Sequence, residues 1–481
     1  MKKPFLFLAV FASLLGVSLQ AGTLGLDGYL DQVRGGNAAL RGSEAEDAAL
    51  ALAAKQPLAA YSPMLNGSVQ NQDNKEVPVG ASAFSPSETQ ALSWDAALSK
   101  FFGTGTRVSL DYSGDRTNLL FSGSATAVAQ GSGLQAYFPP QGFVTGQQLT
   151  LSVSQSLWRN FMAANVDAGV DKAMADSDAA RAENRYQAQA LLYRARQAYI
   201  ELVTVRQVTV ILNESLARNK KILDWTKHKY DDNLADKVDV LEGEASLRQV
   251  ALNLAQNRDD EAKAAIVFNA LRGRAPGTKV DALRPLAVPD GLPRRTGSRQ
   301  DLAAAEAALR SSNALVASVT QSFTPDLSVF ADVAYGDRPI GTLSPELQGV
   351  EPNTVVGLKF SANLDLGLYR EVLAGARHAE GSGQAAIEDK NLEIAKDWAQ
   401  LMRGFSGVRG RLTLARQLEA LQREKADREK VRYKNGRTTN FQVLRFEDDY
   451  HLSRVQTLRL TADANELEAQ ARYYNGDDQP W

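Results

Sequence analysis

The chain has 481 residues, with 54 basic side chains against 56 acidic ones and a formal charge of −2. That balance excludes a basic field for nucleic acid and an acidic tail as means of recruiting partners. There is no cysteine, which excludes disulfides, thiolate metal sites, a thiol nucleophile and a lipid-modified terminal cysteine.

At the N-terminus Lys2 and Lys3 precede an apolar run from Phe5 to Leu19, followed by Gln20-Ala21-Gly22. This is the layout of a secretory signal peptide, too short in its apolar core for the roughly 20 residues of a spanning helix. Residues 1–21 are assigned to it. Beyond it the sequence holds no apolar run of membrane-spanning length, so an exported chain of this kind that crosses a membrane must do so with strands.

A first helix is expected to open at Ser43, in a capping box with Glu46, and to run to about Lys55 before Pro57. Period-two segments follow. Leu65, Gly67 and Val69 form a weak one; Leu92, Trp94, Ala96 and Leu98 lead through Gly103-Thr104-Gly105 to Val108, Leu110 and Tyr112; Leu149, Leu151, Val153 and Leu157 alternate with Thr150, Ser152, Ser154 and Ser156. The Ser, Ala and Gly between Leu119 and Gly133 suit a loop.

Ala163 to about Tyr230 has no proline and spells a helix on the order of 100 Å long. Leu191, Ala195, Ala198, Leu202, Val205, Thr209, Leu212 and Leu216 mark a heptad seam along it. A returning helix from Val238 to about Leu271 is half that length. Residues 273–297, broken by Pro276, Pro285, Pro289 and Pro293, read as an irregular belt packed outside the helices.

The set then recurs. A helix runs from Asp301 to about Gln321. Leu327, Val329, Ala331, Val333 and Tyr335 alternate with polar residues, as do Val356, Leu358, Phe360, Leu364 and Leu366, across a Pro- and Gly-rich loop from Asp337 to Asn353. A second long helix spans Tyr369 to about Tyr433, with Leu401, Phe405, Val408 and Leu412 on its seam, and a helix from Phe441 to about Tyr473 returns. The repeats are placed at 22–272 and 298–481. Because the returning helices are short, each run of helix is expected to be completed by end-to-end stacking: the Asp301 helix on the one ending at Leu271, and the Ser43 helix on the one ending near Tyr473, in the same or a neighbouring copy.

The tips repeat as well. Tyr230, Asn233 and Val240-Leu241 align with Tyr433, Gly436 and Val443-Leu444. Asn and Gly tolerate the left-handed backbone that ends a helix, and Asp236, Thr438 or Thr439 can cap the helix that follows. His228, His378 and His451 lie on helices without partner motifs and read as surface residues.

This order of signal peptide, helix, strands, long helix, Tyr-turn-Val-Leu tip and returning helix, twice over, resembles the TolC-like outer membrane efflux protein family. The resemblance covers nearly all of the mature chain and includes the strand-to-helix junctions Ser156-Leu157-Trp158-Arg159 and Leu364-Asp365-Leu366-Gly367-Leu368, although the proline common there is missing. It implies a mixed α and β membrane protein, an outer-membrane β-barrel continued into a long α-helical coiled-coil barrel. Such a protein is a homotrimer sharing one barrel and sits in the outer membrane of a Gram-negative cell with its helices in the periplasm. Its function is that of a passive exit duct of a tripartite efflux pump or type I secretion system, working with a periplasmic adaptor and an inner-membrane transporter, with no catalysis and no cofactor or metal.

The resemblance further implies adaptor contact at Tyr230, Asn233, Val240, Leu241, Tyr433, Gly436, Val443 and Leu444. It implies an entrance gate and selectivity ring of carboxylates, kept here by Asp239 and Glu242 but replaced by Gln442 and Arg445 in the second copy, with the closed state held by polar links among Tyr230, Asp239, Tyr433, Arg437 and Thr438. The family supplies two strands per repeat, so four spanning strands are expected, with the Leu92–Tyr112 hairpin outside the wall. The alternative is a periplasmic coiled-coil scaffold or adaptor without a pore.

Overall fold

The computed structural model describes residues 23–75, 88–120, 143–295, 299–337 and 352–476. The signal-peptide assignment and most of the two predicted loops lie outside them. In chain order come α1 (Leu26–Gly36), α2 (Ala38–Ala53), a 3-10 turn (Gln56–Tyr61), β1 (Met64–Asn74), β2 (Glu88–Phe101), β3 (Thr106–Leu120) and β4 (Phe143–Ser156). Then follow α3 (Ala164–Asp231), α4 (Lys237–Leu271), α5 (Gln300–Phe323), β5 (Asp326–Asp337), β6 (Asn353–Ser361), α6 (Leu366–Lys434) and α7 (Asn440–Asn475). The long helices have 68 and 69 residues and the returning ones 35 and 36, so the duplication read at the tips extends to element lengths.

Two compact units arise: Ala48–Ala182 with Leu302–Lys390, and Met1–Asp47 with Glu183–Asp301 and Asn391–Trp481. The first contains the sheet, six antiparallel strands in the order β1-β2-β3-β4-β5-β6. The hairpin expected outside the wall is part of this same sheet, with β2 and β3 paired along nearly their full length between β1 and β4. The strand pattern was visible in the sequence, but alternation does not say which neighbour a strand takes.

Register aligns the apolar positions across the whole sheet. Leu65 pairs with Leu98, Leu98 with Leu110, Leu110 with Leu151 and Leu151 with Val333. Because side chains alternate along a strand, the same face carries Val69, Tyr112, Leu149, Tyr335, Val356 and Leu358, all exposed. The opposite face carries Ser68, Asp95, Asp111, Ser152 and Asp332. Among the described exposed large apolar side chains of the strands, Met64 and Val355 alone fall on that polar face.

At the junction into α3, Met162 and Ala163 adopt left-handed φ of 51° and 59°, a strain of roughly 1–2 kcal/mol each for residues with a Cβ. They make the turn from β4 into α3. At the second junction Asp365 caps α6, its Oδ1 accepting the Leu368 N–H at 2.8 Å.

The helical unit corrects the predicted first helix. It starts well before Ser43, as α1 and α2, and the cap of α2 is Asn37, whose Oδ1 accepts the Ala39 and Leu40 N–H groups at 2.9 and 3.3 Å. The Asn37 Nδ2 donates to the Leu271 carbonyl at 2.7 Å, serving an orphan acceptor at the end of α4. The stacking is therefore the reverse of that expected. The α1/α2 joint meets the end of α4, and the start of α5 meets the end of α7, where Arg299 bonds Asp301 at 2.6 Å and Asp397 at 3.1 Å and covers the Tyr474 ring. Polar capping groups at the helix ends select these partners, which helix-length arithmetic cannot see.

The second predicted seam is buried at Leu401, Phe405, Val408 and Leu412 and most of the first is too, Leu202 and Leu212 among the core residues while Leu191, Thr209 and Leu216 are half-buried. The main cluster joins Tyr29, Leu30 and Val33 of α1 to Leu192, Tyr199 and Leu202 of α3 and Phe268 of α4. The segment after α4 has no helix among its described residues, and its apolar side chains dock in turn: Leu283 and Leu286 on the α3 region, Val288 and Leu292 beside α6 and α7.

Candidate functional site

The two tips are built alike. Asn233 (φ 59°) and Gly436 (φ 68°) take the left-handed backbone predicted for them. The Leu234 N–H bonds the Lys229 carbonyl at 2.7 Å, and the Arg437 N–H bonds the Arg432 carbonyl at 2.9 Å. These six-to-one bonds satisfy orphan carbonyls at the helix ends. On the returning side Asp239 Oδ2 accepts the Asp236 N–H at 3.1 Å, and Thr439 Oγ1 accepts the Gln442 N–H at 3.4 Å.

The side chains then lock the second tip onto the first. Ile222 of α3 packs with Tyr433 of α6 and with Val443 and Leu444 of α7, beside Trp225. Through this cluster runs a polar chain. The Thr226 hydroxyl lies 2.9 Å from Tyr433 Oη, 3.0 Å from Asn440 Oδ1 and 2.9 Å from the Ile222 carbonyl. The Ile222 carbonyl and Asn440 Oδ1 accept from the Thr226 hydroxyl, and either hydroxyl can be the donor between Thr226 and Tyr433. Asn440 Nδ2 donates to the Asp239 carbonyl at 3.0 Å, and Lys229 Nζ donates to the Tyr433 carbonyl at 2.7 Å.

Burial divides the predicted adaptor contacts. Val240, Tyr433, Val443 and Leu444 are buried within the chain itself, so their reading as a docking surface is replaced by one as packing residues. Tyr230 and Leu241 are exposed, as are Asn233 and Gly436. Leu234, Val238 and Phe441 are exposed beside them.

Among the gate candidates Arg437, Gln442 and Arg445 are exposed, and Asp239, Glu242 and Thr438 are half-buried. Thr438 bonds Glu429 and, at 2.5 Å, Gln442. Partial burial and then the Asp239 charge push the Glu242 carboxyl above its usual range. Burial pushes the Lys229 ammonium down, against the pull of Asp239. Burial also raises the Tyr433 phenol, the Thr226 bond opposing and the Asp239 charge adding to the rise.

Four participants escaped the sequence reading: Thr226, Lys229, Asn440 and Glu447. Glu447 of α7 is buried; its Oε2 accepts Arg218 Nε of α3 at 2.7 Å, and Lys430 of α6 pairs with its other oxygen. Each joins helices far apart in sequence, and no local spacing marks such a residue. His451 is not the surface residue expected. It is buried on α7, and burial, then the nearby Arg218 and Arg454, outweigh Asp448 in holding its imidazole below the usual range. No cluster that could hold a metal ion occurs among the described residues.

Residues 294–474 match the family model of the outer membrane efflux protein. The fold is similar to the outer-membrane channel OprN, at 18% identity and a TM-score of 0.67, over 95% of this chain and 91% of that one. It is similar to the outer membrane protein VceC of Vibrio cholerae, at 16% identity and 0.67, over 94% and 96%. It is also similar to the open state of the MtrE channel of Neisseria gonorrhoeae, at 13% identity and 0.65, over 94% and 88%. The match to the outer membrane efflux protein family thus lies in residues 294–474, and the chain as a whole has the fold of these outer-membrane channels.

Proposed function

We propose that this protein is the outer-membrane exit duct of a tripartite efflux pump or type I secretion system, a passive channel opened at its periplasmic hairpin tips. The observation that carries the reading is the one-sided sheet. Exposed apolar side chains follow one face across every strand while the other face is polar, which suits lipid outside and water within. A soluble scaffold gains nothing from such a surface.

Three copies enclose the passage, each supplying repeats at 22–272 and 298–481 joined by the strap at 273–297. The adaptor docks on the exposed apolar residues of the first tip, Tyr230, Leu234, Val238 and Leu241, with Phe441 of the second and the turns at Asn233 and Gly436 beside them. Opening follows when adaptor binding favours the state in which the second hairpin has left the first.

At the entrance Asp239 and Glu242 supply negative charge, and Arg437 and Arg445 offset it. Thr438 and Gln442 brace the second tip. Asp239 is also a capping residue, so its carboxylate is directed along its own helix end. Fractionation tests the proposal: the protein stays in the outer-membrane pellet through a carbonate wash and runs as a trimer on unheated gels. Release by carbonate would return the reading to a periplasmic scaffold.

A further inference from the structure

We infer that all six strands of this chain belong to the lipid-spanning wall, and that β6 of each copy pairs with β1 of the next, so that three copies close one barrel of eighteen strands. The inference rests on the trimeric duct proposed above and goes beyond it, since two strands per repeat would give twelve.

The added hairpin carries the evidence. On β2 and β3 the apolar face presents Trp94, Leu98, Leu110 and Tyr112, paired in register with the apolar face of β1 and β4. A hairpin standing in water has no use for that alignment. Lys100 and Arg116 bound this apolar run on the same face. From Val108, the partner of Lys100, to Arg116 is about 27 Å along the strand, or roughly 20 Å across a bilayer at a 40° tilt, close to the apolar band of about 25 Å that spanning strands present. Long basic side chains at both margins reach the headgroup layers while their stems stay in the apolar zone.

The edges supply the second argument. Among the described strands β1 and β6 pair on one side only, and unpaired backbone groups cannot stay so in hydrocarbon. Six strands in strict antiparallel alternation leave β1 and β6 running in opposite directions. A second copy therefore meets the first as a further antiparallel pair, and the alternation is kept around any number of copies. Side-chain alternation also keeps Leu65 and Val69 on the same face as Val356 and Leu358 across such a seam.

Diameter grows with strand number. Eighteen strands about 4.8 Å apart at this tilt give roughly 36 Å between opposite backbones, against roughly 24 Å for twelve. The inner face, with Ser93, Asp95, Asp111 and Ser152, is hydrated, so the outer-membrane segment is a wide aqueous mouth.

Because the chain has no cysteine, single cysteines can report the wall directly. An environment-sensitive fluorophore is attached at Leu98→Cys and Leu110→Cys, at Asp111→Cys, and at the control positions Leu151→Cys and Leu358→Cys, in the full-length protein in vesicles containing brominated lipid. Quenching at Leu98 and Leu110 equal to that at the controls, with none at Asp111, supports the wide wall. Quenched controls with Leu98 and Leu110 matching Asp111 overturn it and leave the duct standing; unquenched controls overturn the duct as well. Electron cryo-microscopy of the unmodified trimer gives a variant-free check, eighteen strands in the ring supporting the inference and twelve contradicting it.

Discussion

The hydroxyls of Thr226 and Tyr433 lie 2.9 Å apart inside the cluster formed by Ile222, Val443 and Leu444. Thr226 sits on the first hairpin and Tyr433 on the second, so this bond, with Asn440 beside it, measures whether the two tips are together. Removing it leaves a phenol buried without a partner, which costs about 1–3 kcal/mol. In the opening proposed above that cost falls on the locked state alone, because a displaced hairpin would expose Tyr433 to water.

Thr226→Val keeps the shape and deletes the bond. The expected outcome is a shift toward the open form by about tenfold or more, read as a higher open probability in planar bilayers. Asn440→Ala, which also frees the Asp239 carbonyl, should act in the same direction. A Thr226→Ser channel should behave as the parent does.

Glu447 holds Arg218 and Lys430 together from a buried position. Glu447→Gln leaves two cations facing each other, and the helical unit should lose about 2–3 kcal/mol, less than the full figure for a buried pair because both cations keep some solvent. Circular dichroism at the helix minimum should show a lower melting temperature. An unchanged melt would place the charge cluster outside the stability account.

The buried His451 gives a pH dependence with a defined sign. Its folded-state value lies below the usual 6.5, so the unfolded chain binds the proton more readily. The stability it contributes is present above pH 6.5 and is lost as pH falls through the depressed folded value. Its neighbours Arg218 and Arg454 disfavour the imidazolium and Asp448 favours it. Between pH 7.5 and 5.5 the parent should lose more stability than His451→Gln, measured by parallel melts.

Asn37 caps α2 with its oxygen and serves the end of α4 with its nitrogen. Asn37→Ala should cost about 1–3 kcal/mol, and Asn37→Asp, which keeps the cap but places an anion beside the Leu271 carbonyl, should recover only part. A recovery as complete as wild type would show that the link to α4 contributes nothing.

Much of this architecture was legible because it rests on local periodicity. The seams at Leu202 and Leu412, the turns at Asn233 and Gly436 and the alternation of Leu149-Leu151-Val153 each follow from spacing and residue type. What was not legible depends on partners distant in the chain. The place of the Leu92–Tyr112 hairpin is a matter of strand neighbours, the joint at Asn37 joins helices more than 200 residues apart, and the Thr226, Asn440 and Glu447 contacts link three helices. The alignment of the tips placed Tyr433, Val443 and Leu444 correctly at the turn, but it could not tell a packed face from an open one.

The central claim is that copies of this chain enclose a continuous aqueous passage whose periplasmic end is held by the Thr226–Tyr433 link. The direct test is single-channel recording from the purified trimer and its Thr226→Val variant in planar lipid films. Discrete conductance steps that become larger or longer in the variant are predicted. Films that stay electrically silent with both proteins, although both have inserted, would contradict the account.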